Sequence, residues 1–206
     1  MIALLGRKKG MASFFDDRGR NTAVTILEAG PCPILQRKTS ESDGYNAVQI
    51  GFEKIRPKLA TKPLLGHFKK AGQAPHRLVR ELRDFSGAGK VGDVLTVQLF
   101  QPGDTVAVTG VSKGRGFMGV VKRHNFKCPN QTHGTHESFR GSGSVGQSSD
   151  PSRIWAGMRM PGHMGAEKVT VKNLKVLKID AEKGLLMVKG AVPGAPNGIV
   201  IIRKQG

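Results

Sequence analysis

Gly114-Arg-Gly116-Phe-Met-Gly119 satisfies the pattern G-x-G-x-x-G, the first spacing in this 206-residue chain that could do chemistry. In a dinucleotide site such glycines open a helix whose N-terminus holds a pyrophosphate, and an acid follows about 20 residues on. Here VVKRHNFKCPN is a poor helix before Pro129. Val121 extends the string to the kinase form, but the other kinase strings are absent and the chain is too short. The better fit is that these glycines let the backbone approach phosphates while Lys113, Arg115, Lys122 and Arg123 neutralise them. The competing reading is a glycine loop with solvated charges.

Cys128, His133 and His136 form C-x4-H-x2-H, which invites a zinc site. A structural zinc takes four ligands, the nearest fourth candidate is His124, and the spacing fits no common zinc module. Imidazoles packing on or bonding to an RNA backbone fit better, so no metal is expected. Ser138, His136 and Asp150 supply the types of a triad, but a triad is defined by geometry. No G-x-S-x-G elbow and no paired carboxylates accompany them, so acid–base catalysis lacks players.

These motifs share one stretch, Thr109 to Gly165, without sustained apolar periodicity. From Gly110 to Gly165 it holds eleven glycines and eight Lys or Arg against two acids, Glu137 and Asp150. So long a segment without helix or strand signals points to function or disorder. Trp155, the single tryptophan, could stack on an unpaired base or clasp Met158 or Met160; Arg153 and Arg159 suit phosphate contacts.

The whole chain carries 33 Lys and Arg against 15 Asp and Glu, a net charge of +18. Soluble small domains do well at a magnitude of about 2 to 8, so solubility is a poor account of this charge. Self-repulsion opposes folding without an anionic partner, and nucleic acid is the first candidate. No apolar run approaches the roughly 18 residues of a spanning helix, and MIALLGRKKGM is too short in apolar residues for a signal peptide. Cys32 and Cys128 read as free thiols. A nucleotide-dependent enzyme and a general DNA-binding protein remain as alternatives.

The elements that must hold this stretch are short strands on either side. MIALLGRKKGMASFF reads as apolar, basic turn, apolar; DDRGRN as a turn; TAVTILEAG as a strand stopping at Gly30. PCPILQRKT suits a strand start, SESDG a turn, and YNAVQIGFEKI a half-buried strand. KPLLGHFKKAG predicts a short basic helix ended by Gly72, and LVRELRDF leans to strand. VGDVLTVQLFQPGDTVAVTG predicts a hairpin around Pro102 and Gly103. After the stretch, Leu174, Val176, Leu177 and Ile179 suggest a register change, and AEKG and PGAPNG are turns. The two flanks are expected to complete one barrel.

Taken together these strings resemble the bacterial-type large-subunit ribosomal protein L-three family over the whole chain. The match runs through LLGRKKGMASFF, AGPCPILQRKT, DGYNAVQIGF and KPLLGHFKKAG. Its most specific part is TGVSKGRGFMGVVKRHNF, followed by SVGQSSDPSRIWAGMRMPGHMGAEKVTV and LLMVKGAVPGAPNG. The resemblance implies a mainly β fold: a translation-protein-like barrel over 1–110 and 165–206, an α/β excursion at 61–90, and an extended loop over 111–164. It implies a cytoplasmic, non-enzymatic constituent of the large ribosomal subunit, without cofactor or small-molecule substrate. That constituent would bind large-subunit rRNA near its 3′ region, assist early assembly, touch neighbouring subunit proteins, and reach toward the peptidyl transferase centre. The residues carried to rRNA contact are Arg7, Lys8, Lys9, Lys69, Lys70, Lys113, Gly114, Arg115, Gly116, Lys122, Arg123, His124, Lys127, Arg140, Arg153, Trp155, Arg159 and His163. Gln147 stands where some members carry a methylated glutamine. Two departures are Ala107, where members commonly have an acid or amide, and a tip softened by Ser148, Ser149 and Asp150.

Overall fold

The computed structural model describes residues 2–205 apart from 16, 17, 84 and 86–88, so Asp16, Asp17 and Asp84 of the expected turn and strand lie outside the described residues. The strands are β1 (Ala3–Phe15), β2 (Asn21–Ala29), β3 (Cys32–Lys38), β4 (Ala47–Lys54), β5 (His76–Arg83), β6 (Val94–Leu95), β7 (Thr105–Val111), β8 (Gly116–Met118), β9 (Gly162–Met164), β10 (Lys168–Asp180), β11 (Leu185–Lys189) and β12 (Ile199–Lys204). The helices are α1 (Ser40–Asp43), α2 (Lys62–Lys70) and α3 (Val120–His124). By contacts the chain divides into two compact units, Met1–Val111 with Lys168–Gly206, and Ser112–Glu167.

The first unit is built on a closed barrel in the order β1-β12-β7-β10-β11-β2, antiparallel at every seam. Period-two patterning explains it: Leu186 and Val188 of β11, and Val200 and Ile202 of β12, face inward and are buried. Leu4, Leu5, Leu27, Val106 and Val108 complete the wall. Each such buried side chain stabilises the fold by about 1.5–3 kcal/mol relative to exposure. Closure removes the unpaired strand edges that an open sheet would leave.

Several expectations need correction. The basic string Arg7-Lys8-Lys9-Gly10 is no turn: β1 runs straight through it, with one extra residue at Lys9 between the pairs Lys8–Leu27 and Gly10–Ile26. The bulge absorbs the interruption while the apolar residues on both sides keep their partners. SESDG forms the four-residue α1 rather than a plain turn. The expected hairpin at Pro102-Gly103 does not form, because β6 pairs with β3 and β7 pairs with β10 and β12. Val97 and Phe100 are buried in a 3-10 turn between them, so burial rather than the turn dipeptide decides the pairing.

A four-stranded sheet, β5-β4-β3-β6, stands beside the barrel and shares its core through Ile34, Ile50, Phe52 and Leu82. This departure from the barrel therefore starts at β3, well before residue 61. Helix α2 stops before Gly72 and seats Phe68 against Leu35 and Ala71. The register change expected in β10 is present, between Val176 and Lys178.

Candidate nucleic-acid interface

In the second unit the two ends meet first. Ser112 donates its amide to the Glu167 carbonyl (2.9 Å), and the Glu167 amide returns to the Ser112 hydroxyl (3.2 Å). Above them β8 and β9 pair antiparallel, Gly116 with Met164, Phe117 with His163 and Met118 with Gly162. Neither strand nor α3 is expected from the sequence pattern, since three residues are too few to show a period. The G-x-G-x-x-G string thus lies on a hairpin arm and at the cap of a five-residue helix, not on a strand–helix phosphate cradle.

Two glycines here serve the protein's own packing. Gly165 has φ +76°, and a Cβ there would lie 2.2 Å from the Lys113 carbonyl oxygen. At Gly162 a Cβ would meet the Arg123 guanidinium at 2.8 Å. That guanidinium donates to the Met160 carbonyl (2.7 Å), and the His124 ring lies 3.1 Å from the same oxygen. Arg123 and His124 therefore brace α3 against the segment leading into β9. These are not the glycines of the phosphate reading: a Cβ at Gly114 would meet only the Ala166 Cβ at 3.7 Å, and at Gly116 and Gly119 it would meet nothing within 4 Å.

Lys113, Gly114, Arg115, Gly116, Lys122, Lys127, Arg140, Arg153, Arg159 and His163 are exposed, as is Gln147. Among the described residues every ion pair lies in the first unit. The second unit holds eight Lys or Arg against three acids; all but Arg123 are exposed, and none has a carboxylate in ion-pair reach among the described residues.

Trp155 is 56% exposed, and the Arg153 guanidinium lies 4.7 Å from its ring centroid. The expected alternatives were a base stack or a methionine clasp; the structure supplies a cation over the ring. Phe117, at 77%, is the most exposed large apolar side chain among the described residues and was missed from sequence. An aromatic set between glycines in a basic segment was the available signal. The Arg140 guanidinium sits 5.1 Å from the Phe139 ring, a second cation–ring pair that sequence reasoning missed.

In the first unit the sequence-named cations fare differently. Arg7 donates from Nε to Glu53 (2.6 Å), and Lys9 pairs with Glu28 (2.6 Å). Lys8 is buried, with Nζ donating to the carbonyls of Val192 (2.7 Å) and Gly194 (3.1 Å), so it holds the turn before β12 and is no surface cation. Lys69 and Lys70 are exposed in the last turn of α2. The carboxyl of Glu81 is held below its usual range by its hydrogen bond from Lys38, and that of Asp104 by Lys204. Burial pushes the Cys32 thiol up to about 12, while Cys128 is exposed; both are free. Among the described residues no three His, Cys, Asp or Glu come together as a metal site, and His124 of the zinc candidates is occupied with Met160.

The profile of the family described as Ribosomal protein L3 matches residues 79–185. The protein named large ribosomal subunit protein uL3 in Herpetosiphon aurantiacus is 49% identical over 205 residues, covering 98% of this chain and 95% of that protein.

Proposed function

Because the chain belongs to the ribosomal protein L3 family, we propose that it is a non-catalytic, cytoplasmic constituent of the large ribosomal subunit whose second unit binds large-subunit rRNA. The carrying observation is the second unit's unpaired charge: Glu28, Glu53, Glu81 and Asp104 of the first unit each hold a basic side chain, while the second unit's cations have no such partners among the described residues. Phosphates supply the missing negative charge, and each contact releases counterions. Lys113, Arg115, Lys122, Lys127, Arg140, Arg153 and Arg159 make those contacts. Trp155 and Phe117 offer stacking faces for unpaired bases. Arg123 and His124 act from behind, by positioning α3.

The finer reading rests on the family resemblance. The barrel side organises the 3′ region of that rRNA during early assembly and contacts neighbouring subunit proteins. The second unit reaches toward the peptidyl transferase centre. No helix among the described residues is long and apolar enough to cross a membrane.

The test is the salt dependence of rRNA binding. Each phosphate contact contributes about 0.7–0.9 to the slope of log K against log salt. Arg115→Gln with Arg153→Gln and Arg159→Gln should flatten the slope by roughly 2–3, against little change for Lys9→Gln with Lys204→Gln. Equal slopes for the two sets, or equal affinity for duplex DNA and for rRNA, would refute the assignment.

A further inference from the structure

Between α3 and the 3-10 turn at Ser138–Arg140, the second unit forms a cavity of about 410 Å³ that is open to solvent on one side. Val121, Pro129 and Phe139 give it apolar walls, Lys122 and Arg140 stand at it as exposed cations, and Cys128 presents an exposed thiol. None of its lining residues is acidic. The volume lies within the range of about 300–1,000 Å³ typical of small-molecule sites.

We propose that this cavity receives one unstacked nucleobase of single-stranded RNA, with the flanking phosphates held by Lys122 and Arg140. The inference rests on the rRNA reading and adds to it a site that reads RNA conformation rather than charge. Three features favour a base over other occupants. An aromatic wall beside apolar side chains matches the π-face of a heterocycle, and stacking on such rings is how unpaired bases are held. The cations at the same cavity suit the phosphates on either side of that base, whereas a neutral apolar ligand would make no use of them. The Arg140 guanidinium already lies against the Phe139 ring, and its planar fork can stack and donate to phosphate together. A duplex keeps its bases stacked inside, so it can meet the cations but cannot fill the cavity.

Cys128 turns this into a measurement, because its thiol lines the cavity and Cys32 is buried as an internal control. The full chain is bound to an unstructured oligoribonucleotide or to a blunt RNA duplex of equal phosphate count, and alkylation by iodoacetamide is followed by mass spectrometry. The expected result is that single-stranded RNA slows Cys128 alkylation at least about 5-fold more than duplex RNA, an effect of the size of one stacking contact of ~1 kcal/mol. Phe139→Leu should erase that difference while leaving the salt slope of binding unchanged, since both cations remain. If both RNAs bind and Cys128 reacts equally fast in both complexes, the base pocket is wrong and the charge-based rRNA reading stands. If neither RNA binds, the rRNA reading fails and takes the pocket with it.

Discussion

Replacing Gly165 by alanine tests whether the second unit needs its hairpin pairing. The φ of +76° is left-handed and costs a non-glycine residue about 1–2 kcal/mol. The new Cβ would also lie 2.2 Å from the Lys113 carbonyl oxygen and 3.1 Å from the Gly114 Cα, backbone atoms with no rotamer escape. Relief requires the Lys113–Gly114 arm to move away, which breaks the bond from the Arg115 amide to the Met164 carbonyl (2.8 Å). That bond is worth about 0.5–1.5 kcal/mol. The sum, roughly 1.5–3.5 kcal/mol, lowers the population of the paired hairpin by about ten- to three-hundred-fold. Amide hydrogen exchange followed by mass spectrometry should show Arg115 and its neighbours in β8 exchanging faster, while the barrel strands keep their protection. Gly114→Ala is the matched control, since its Cβ would meet only the Ala166 Cβ at an ordinary 3.7 Å. Wild-type exchange in Gly165→Ala, or equal loosening in Gly114→Ala, would refute the reasoning.

Two further outcomes follow from the first unit. Lys8→Met should lower stability by roughly 1–3 kcal/mol, because the buried carbonyl of Val192 loses its donor; urea unfolding reads it, and a flattened salt slope of RNA binding with unchanged stability would show Lys8 to be a phosphate contact instead. His76 is kept below its usual pKa by burial, against the pull of its bond to the Ala74 carbonyl, with Lys54 adding repulsion. The unfolded chain therefore takes up this proton first as pH falls below about 6.5, and stability drops from there downward. The urea midpoint should fall between pH 7.5 and 5.5, and less so in His76→Gln. Glu81 and Asp104, with lowered carboxyl pKa values, lose their contribution only at more acid pH, below about 4. A wild-type midpoint unchanged across that interval would refute the assignment to His76.

The barrel was legible where burial alternates. Val200 and Ile202, or Leu186 and Val188, show their faces in the string itself. What failed depended on distant partners. Pro102-Gly103 is a good turn, but its flanking strands belong to different sheets, because β6 finds β3 and β7 finds β12. The string Arg7-Lys8-Lys9-Gly10 looks like a break because nothing local says that Leu27 and Ile26 wait across the sheet. In the second unit the cations were legible by type, yet their roles were not. Arg123 and Lys122 are chain neighbours, but one braces Met160 and the other stands at the cavity. Nothing in adjacent positions distinguishes them, because the deciding atoms come from residues further along the chain, Phe139 and Met160 among them.

Charge and folding are therefore divided between the units. In the first, Glu53, Glu28, Glu81 and Asp104 each hold a basic side chain, so those cations are offset within the protein. In the second, the only acids are Glu137, Asp150 and Glu167, and their carboxylates form no ion pair among the described residues. Repulsion among eight cations there opposes compaction, and salt relieves it only in part over a Debye length of about 8 Å. Hydrogen bonds such as Arg123 to Met160 and the close seats at Gly162 and Gly165 work against that repulsion. On the proposed function rRNA phosphates remove it at its source, so the charges that weaken the free unit become its grip on RNA.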